Sequence, residues 1–172
     1  MLFVKYSILF LIFLIAGLIG NLFSKKYKNR VEELKGFKEA FNIIESKIKF
    51  TYEPLGDIFE EISNLFYKNK INYIFKEAKD NMKKIDINTA WKEAIEKNKY
   101  ILNLNEEDID TIKKLGNMLG KTDVQGQLSE ISLNINFLDT QIAYAEESRK
   151  KNEKMYRTLG TIFGLAIIII LI

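Results

Sequence analysis

The chain has two apolar ends and a polar middle in which apolar residues recur at helical spacing. Tyr6–Phe23 carries no charge over eighteen residues, which is about 27 Å as a helix and close to the roughly 30 Å hydrocarbon core of a bilayer. This pattern predicts an N-terminal membrane helix. The alternative is a cleaved signal peptide, in which basic residues precede a shorter apolar stretch. Here only Lys5 precedes the run, and the other basic residues follow it.

The last fifty residues predict one long helix with three zones. Its first zone has apolar residues in alternating steps of four and three, the spacing of a helix that packs one seam on partner helices. The seam lapses at Arg149 and Asn152, in a polar neck over Glu146–Lys154, and a membrane zone follows. We expect Leu128, Ile135 and Leu138 to face other helices of the same chain. The seam positions are Val124, Leu128, Ile131, Ile135, Leu138, Ile142 and Ala145.

The C-terminal membrane segment is shorter than the first. Leu159–Ile172 is roughly 21 Å long as a helix, which is short for a full span. Counting from Met155 gives about 27 Å when Arg157 extends to the head groups. Otherwise the bilayer thins locally or the segment ends part-way through it. The predicted divisions are an N-terminal anchor over 1–24, a cytoplasmic domain over 25–154 and a C-terminal membrane segment over 155–172.

Between the ends, apolar stripes predict five shorter helices before the long sixth one, and no stretch alternates like a strand. Pro54 suits a first helical turn, Asn88 and Asn105 suit N-caps, and Gly120 suits a left-handed residue after the fifth helix. Thr122 with Gln125 has capping-box spacing. The predicted fold is all-α: a six-helix cytoplasmic bundle with an N-terminal and a C-terminal membrane helix, the last helix running continuously into the membrane. The helices cover about Lys26–Phe50, continuing the first anchor, Pro54–Phe66, Ile71–Ile85, a short stretch after Asn88, a fifth helix between Asn105 and Gly120, and the C-terminal fifty residues.

Basic residues flank both membrane segments on the side of the middle domain. Since basic residues near membrane segments remain cytoplasmic, they predict a cytoplasmic middle domain with both termini across the bilayer. The alternative is that they are ordinary solvated charges. The boundary residues are Lys25, Lys26, Lys28, Arg30, Arg149, Lys150, Lys151, Lys154 and Arg157.

Each membrane segment also carries a pair of small residues four positions apart. The pairs are Ala16 with Gly20, and Gly160 with Gly164. Such spacing allows helix backbones to approach closely in lipid, although glycine is frequent in membrane helices in general. The two anchors could pack on each other, or each could pack on a partner helix.

Composition removes most enzymatic chemistry. The chain has no cysteine and no histidine, and a net charge of only +3, so thiol chemistry and the commonest general base are absent. The acidic group Glu106–Asp110 suits the start of a helix better than a metal or protein docking site. Gly116 and Gly120 lack the pattern of a phosphate-binding loop. We expect no enzyme activity, no catalytic residue, no cofactor, no metal, no nucleic-acid partner and no small-molecule substrate.

The aromatic residues of the middle have two interpretations. They could line a ligand pocket, but at helical spacing aromatic residues more often form a core. The residues are Trp91, Phe59, Phe66, Tyr73 and Phe75.

Several stretches resemble the stage III sporulation protein AB family. They are Tyr52–Leu55, Ala90-Trp91, Leu115–Gly120 with Asp123 and Gln127 close behind, and the tail from Glu153 to Leu165. The resemblance implies a component of the channel complex between mother cell and forespore, in the mother-cell membrane that faces the forespore. It implies a cytosolic domain similar to the F-type platform proteins of type II secretion. Those proteins have two helical domains and this chain has one, so their oligomeric arrangement does not transfer.

Two functions therefore compete. The first is a non-enzymatic membrane platform, required for endospore formation, whose partners are membrane lipid, other subunits of the channel complex and its cytosolic ATPase, stage III sporulation protein AA. The second is a membrane-tethered scaffold or sensor that works by coiled-coil oligomerisation, with the seam of the last helix between chains. An integral-membrane enzyme has little support.

Overall fold

The computed structural model describes residues 2–117, 119–120 and 123–171, and they form six α-helices. Two of the helices, at the ends of the chain, are 49 and 48 residues long, and the other four have 9 to 12 residues. Single turns of 3₁₀ helix follow α4 and α5, at Lys99–Ile101 and Leu115–Asn117. The all-α prediction and the long, continuous last helix are confirmed. The α-helices are α1 (Leu2–Phe50), α2 (Leu55–Leu65), α3 (Ile71–Asn81), α4 (Ile87–Asn98), α5 (Glu106–Lys114) and α6 (Val124–Leu171).

The chain forms two compact units. One, called here the helix-pair unit, contains α1 up to Val31 and α6 from Tyr144; the other, called the bundle unit, is Glu32–Ala143. These limits lie inside the two long helices and reflect packing. The membrane boundaries over 1–24, 25–154 and 155–172 depend on where lipid meets water, and they stay predictions.

The core of the bundle unit is aromatic. Trp91 on α4 is fully buried and its ring centroid lies 5.2 Å from that of Phe75 and 5.6 Å from that of Phe59. Its indole N–H donates to the carbonyl of Ile112, 2.9 Å away, which satisfies the one polar atom of a buried tryptophan. The core interpretation therefore holds for Trp91, Phe59 and Phe75. It is wrong for Tyr73, which is 56% exposed.

The face that α6 buries in the bundle unit differs from the predicted seam. Ile131, Leu138 and Ile142 are buried as expected, but Ile135 is only half-buried and Asn134, beside it, is 3% exposed. Gln141 is buried too. Leu128 is half-buried as well. The prediction that Leu128 and Ile135 are buried fails because a straight helix repeats every 3.6 residues and drifts away from a strict heptad.

Two helix starts show how local sequence sets the boundaries. Asn105 begins α5 with a capping box: its side chain accepts from the N–H of Asp108 at 2.8 Å, and Asp108 accepts from the N–H of Asn105 at 3.0 Å. The Asn105 prediction is confirmed. Asn88 is wrong as an N-cap, because the Asp86 side chain caps α4 by accepting from the N–H groups of Asn88 and Thr89 at 3.1 Å each.

Other predicted boundaries shift by a few residues. Pro54 precedes α2 as its N-cap instead of lying in the first turn. The third helix ends at Asn81, four residues before the predicted Ile85. Gly120 has the left-handed φ of 75° expected of it, but α5 ends earlier, at Lys114. Thr122, the predicted N-cap of the last helix, lies outside the described residues.

Two carboxylates of the bundle unit have shifted pKa values in opposite directions. Glu96 accepts from Lys113 and pairs with Lys99 at 2.8 Å, and these hydrogen bonds lower its pKa to about 2. Glu33 is 5% exposed, and burial raises its pKa against the hydrogen bonds from Asn103. The N–H and side-chain amide of Asn103 donate to the two Glu33 oxygens at 2.6 and 2.8 Å.

Candidate functional site

The helix-pair unit contains two helical stretches that are long and apolar enough to cross a membrane. The most apolar 18-residue windows of α1 and α6 have mean hydropathies of 2.3 and 1.6, yet only 17% and 11% of them are buried. A core helix of a water-soluble protein would bury most of such a surface. Side chains such as Phe3 (89% exposed) and Ile170 (81%) have no covering in the chain itself.

The predicted small residues lie where the two helices cross. A Cβ added at Gly20 would lie 2.9 Å from the Cα of Gly160 and 2.7 Å from the carbonyl oxygen of Tyr156. A Cβ added at Gly160 would lie 2.8 Å from the carbonyl oxygen of Ala16. One turn further, a Cβ at Gly164 would lie 3.2 Å from that of Ala16. The structure thus brings all four small residues, Ala16, Gly20, Gly160 and Gly164, to one crossing between the helices of the same chain.

An aromatic layer adjoins this crossing. Tyr156 of α6 stacks on two rings of α1, with centroid distances of 5.8 Å to Phe23 and 5.6 Å to Tyr27. The sequence reasoning did not pick out this layer. The signal for it was the placement of Tyr27 and Tyr156 at the inner ends of the apolar runs, since tyrosine concentrates at membrane–water interfaces.

All nine predicted boundary cations lie in the helix-pair unit, four on α1 and five on α6. On α1, Lys25, Lys26 and Lys28 are exposed and Arg30 is half-buried. On α6, Arg149 lies 3.8 Å from the Glu153 carboxylate. The exposed ones on α6 are Lys150, Lys151, Lys154 and Arg157.

The neck of α6 is helical throughout and has no fully buried side chain. From Glu146 to Lys154 every residue is half-buried or exposed. Asn152 donates to the carbonyl and the hydroxyl of Ser148 at 2.9 and 3.2 Å, so its polar group bonds within the helix. The neck therefore has side-chain contacts but no apolar face that another element covers.

The acidic group Glu106–Asp110, which suits either a helix start or a metal or docking site, lies in α5 of the bundle unit. Glu106, Glu107 and Asp108 lie in the first turn of α5, where acidic side chains stabilise a helix start. Among the described residues, no group of three histidine, cysteine, aspartate or glutamate side chains is arranged to hold a metal ion.

The sequence analysis does not identify Glu33 as buried, although its spacing of four from Phe37 puts it on the apolar stripe of α1.

Comparison with known proteins settles the family. The family model for stage III sporulation protein AB matches residues 5–172. The chain belongs to the stage III sporulation protein AB family. Membership implies a role in sporulation and confirms the resemblance inferred from the short motifs.

Individual relatives agree with this assignment. Stage III sporulation protein AB of Bacillus subtilis (strain 168) is 27% identical over 150 residues, covering 86% of this chain and 87% of the relative. A solved structure of a stage III sporulation protein AB superposes with a TM-score of 0.67, at 22% identity, over 72% of this chain and 98% of the solved one. At 22% identity the superposition shows that this chain has the same fold as the solved protein.

Proposed function

We propose that this protein is a non-enzymatic platform subunit of a secretion-like channel complex between mother cell and forespore, in an endospore-forming bacterium. It lies in the mother-cell membrane that faces the forespore. The helix-pair unit holds it in the bilayer, and the bundle unit works in the cytoplasm as the docking partner of the complex's ATPase, stage III sporulation protein AA.

The observation that carries the membrane part is the exposure of the paired helices. They bury backbone against backbone at Gly20 and Gly160, yet their apolar side chains point outward. This is how helices pack in lipid, where small residues allow close approach and the lipid covers the large side chains. The basic residues at the inner ends of both stretches support a cytoplasmic bundle unit.

The interior of the bundle unit supports a role through its surface. Its largest fully buried side chains are tryptophan, phenylalanine, leucine and isoleucine, and aromatic rings fill the centre in mutual contact. The centre of the bundle unit is therefore a packed core, and we place its role on its surface. Energy for transport would therefore come from a partner, which is why we propose the ATPase.

One observation bears on the coiled-coil scaffold. That alternative needs the apolar face of α6 to be free for another chain, but Ile131 and Leu138 are 1% and 0% exposed within the single chain. The salt bridge from Lys38 of α1 to Asp139 of α6, at 2.5 Å, places α1 of the same chain beside this part of α6. The arrangement favours the platform.

Flotation with the cognate ATPase tests the proposal. We expect the ATPase to float with proteoliposomes that contain the full chain and to stay at the bottom with empty liposomes. If it stays at the bottom although the chain is inserted, the platform proposal is wrong. Light scattering of the full chain in detergent tests the alternative, because a monomer contradicts a scaffold built on chain-to-chain coiled coils.

A further inference from the structure

A groove lies beside the crossing of the two helices in the helix-pair unit. Its volume is about 320 Å³, and glycines 20 and 160 form its floor. Its walls are large apolar side chains, of which Ile19 is 49%, Phe23 54% and Phe163 63% exposed. This volume is at the lower end of the roughly 300–1,000 Å³ of ligand pockets, so it suits a slender apolar group.

The groove lies at the inner end of the apolar stretch of α1. Its α1 residues run from Ala16 to Phe23, and the first basic residue of the boundary, Lys25, follows two positions later. The stacked ring of Tyr156 stands at the same level and forms part of the wall. The groove therefore lies in the half of the apolar stretch nearer the basic residues.

A cation continues the groove wall toward that boundary. Ile19, Phe23 and Lys26 are spaced by four and then three residues, which puts them on one face of α1. At ~1.5 Å per residue, Lys26 is about 4.5 Å beyond Phe23 along the helix, and its long stem lets the ammonium reach further. Arg30 follows on the same face, one turn later. By contrast, Lys154 of α6 lies on the far side of its helix from Leu159 and Phe163, the α6 walls.

The occupant that fits is a lipid and not another helix. The small residues already face each other, because a Cβ added at Gly20 would lie 2.9 Å from the Cα of Gly160. What remains is an apolar channel with a positive charge at one end. That shape complements a molecule with a long hydrocarbon chain directly joined to a negative group, and it matches neither a second small-residue face nor a water-soluble anion.

We propose that this groove binds one acyl chain of an anionic phospholipid, with the phosphate-containing head group at Lys26. The inference rests on the proposed membrane insertion of the two helices. It adds a specific lipid site to a boundary that otherwise attracts anionic lipid only diffusely.

Native mass spectrometry of the full chain tests this, after release from nanodiscs of dioleoyl-phosphatidylglycerol and dioleoyl-phosphatidylcholine in equal amounts. We expect wild type to retain phosphatidylglycerol preferentially. Lys26→Gln should reduce that preference at least roughly tenfold, because it removes a direct hydrogen bond between charged groups. Lys154→Gln, the matched control, removes only the diffuse attraction of a lysine outside the groove and should reduce the preference by less. Ile19→Phe, which narrows the groove and keeps every charge, should lower retention of both lipids.

Three outcomes would overturn the site. They are no preference in wild type, an equal loss in Lys26→Gln and Lys154→Gln, or unchanged retention in Ile19→Phe. Alkaline extraction of membranes carrying the same variants separates this failure from failure of the membrane proposal. If the chain resists alkaline extraction but shows no lipid preference, only the lipid site is contradicted. If alkaline extraction removes the chain from the membrane, membrane insertion is contradicted.

Discussion

Adding one methyl group at Gly20 should separate the two helices of the helix-pair unit. In Gly20→Ala the new Cβ would lie 2.9 Å from the Gly160 Cα and 2.7 Å from the Tyr156 carbonyl oxygen. Both neighbours are backbone atoms and cannot turn aside. Carbon atoms pack at about 3.5–4.0 Å, so the backbones must part by roughly 0.6–1.1 Å.

The expected cost follows from that displacement. A gap of about 0.5–1 Å removes a quarter to a half of the dispersion energy of each contact. Overpacking of this kind costs about 1–3 kcal/mol of stability. The equilibrium toward the close pair should therefore fall roughly 5- to 140-fold. Gly17→Ala is the matched control, because a Cβ there meets nothing within 4 Å.

Disulfide trapping measures the effect. The chain has no cysteine, so Ala16→Cys with Gly164→Cys supplies the only thiols, and the two Cβ positions are 3.2 Å apart, slightly below the about 3.5–4.5 Å of a disulfide. The Cβ added at Gly164 also meets the Phe13 ring at 2.9 Å, a side chain that can turn aside, and both alanine variants are compared in this same background. We expect fast oxidation within one chain in nanodiscs, slower oxidation when Gly20→Ala is added, and no change with Gly17→Ala. Equal rates for the two alanine variants, or a disulfide-linked dimer as the main product, would refute the reasoning.

Three further predictions concern the rest of the chain. Leu138→Ala should lower the unfolding free energy of the full chain in detergent by about 2–5 kcal/mol. Leu133→Ala, at a 46% exposed site, should change it by less than about 0.5 kcal/mol, and similar losses in the two variants would contradict the packing of α6. Hydrogen bonds from two lysines lower the pKa of Glu96 to about 2. The difference in Tm between wild type and Glu96→Gln should therefore be largest above about pH 4.5 and shrink as the pH falls toward 2. A difference in Tm that does not depend on pH would be evidence against those bonds. Hydrogen exchange in nanodiscs should be faster over Ser148–Lys154 than over Leu128–Ile142, and equal protection would mean that something covers the neck.

Much of the fold was predictable because its signals are local. The apolar runs of both ends predict long helices directly, and Asn105 with Asp108 three residues later predicts the start of α5. The start of α4 is not decided by such a signal, because Asp86 and Asn88 are both good N-caps two residues apart, and only the hydrogen bonds show that Asp86 is the cap.

The errors arise where polar residues are buried. The side-chain N–H of Asn134 donates to the Glu130 carbonyl at 2.9 Å, and that of Gln141 donates to the Glu107 carboxylate at 2.9 Å. A search for apolar periodicity passes over such residues and assigns the seam to Ile135 instead. The partner of Gln141 is on another helix, so no local pattern shows that it can be buried.

The candidate site was predictable only in part. Four-residue spacing identified Ala16 with Gly20 and Gly160 with Gly164 as close-approach surfaces, but it could not tell whether they meet each other. That depends on contacts more than a hundred residues apart in sequence. The spacing of Ile19, Phe23 and Lys26 places them on one face of α1, but the groove itself is the space left between two helices and has no sequence signal.

The most direct test of the account is the topology of the full chain. Single cysteines are specific labels here, since the natural sequence has none. Lys68→Cys, at an exposed position in the α2–α3 connection, should react with a membrane-impermeant maleimide only after the cells are opened. A cysteine in a short tag at either terminus should react in intact vegetative cells. Labelling of Lys68→Cys in intact cells, or protection of either terminus, would contradict a cytoplasmic bundle unit held by two membrane-spanning helices.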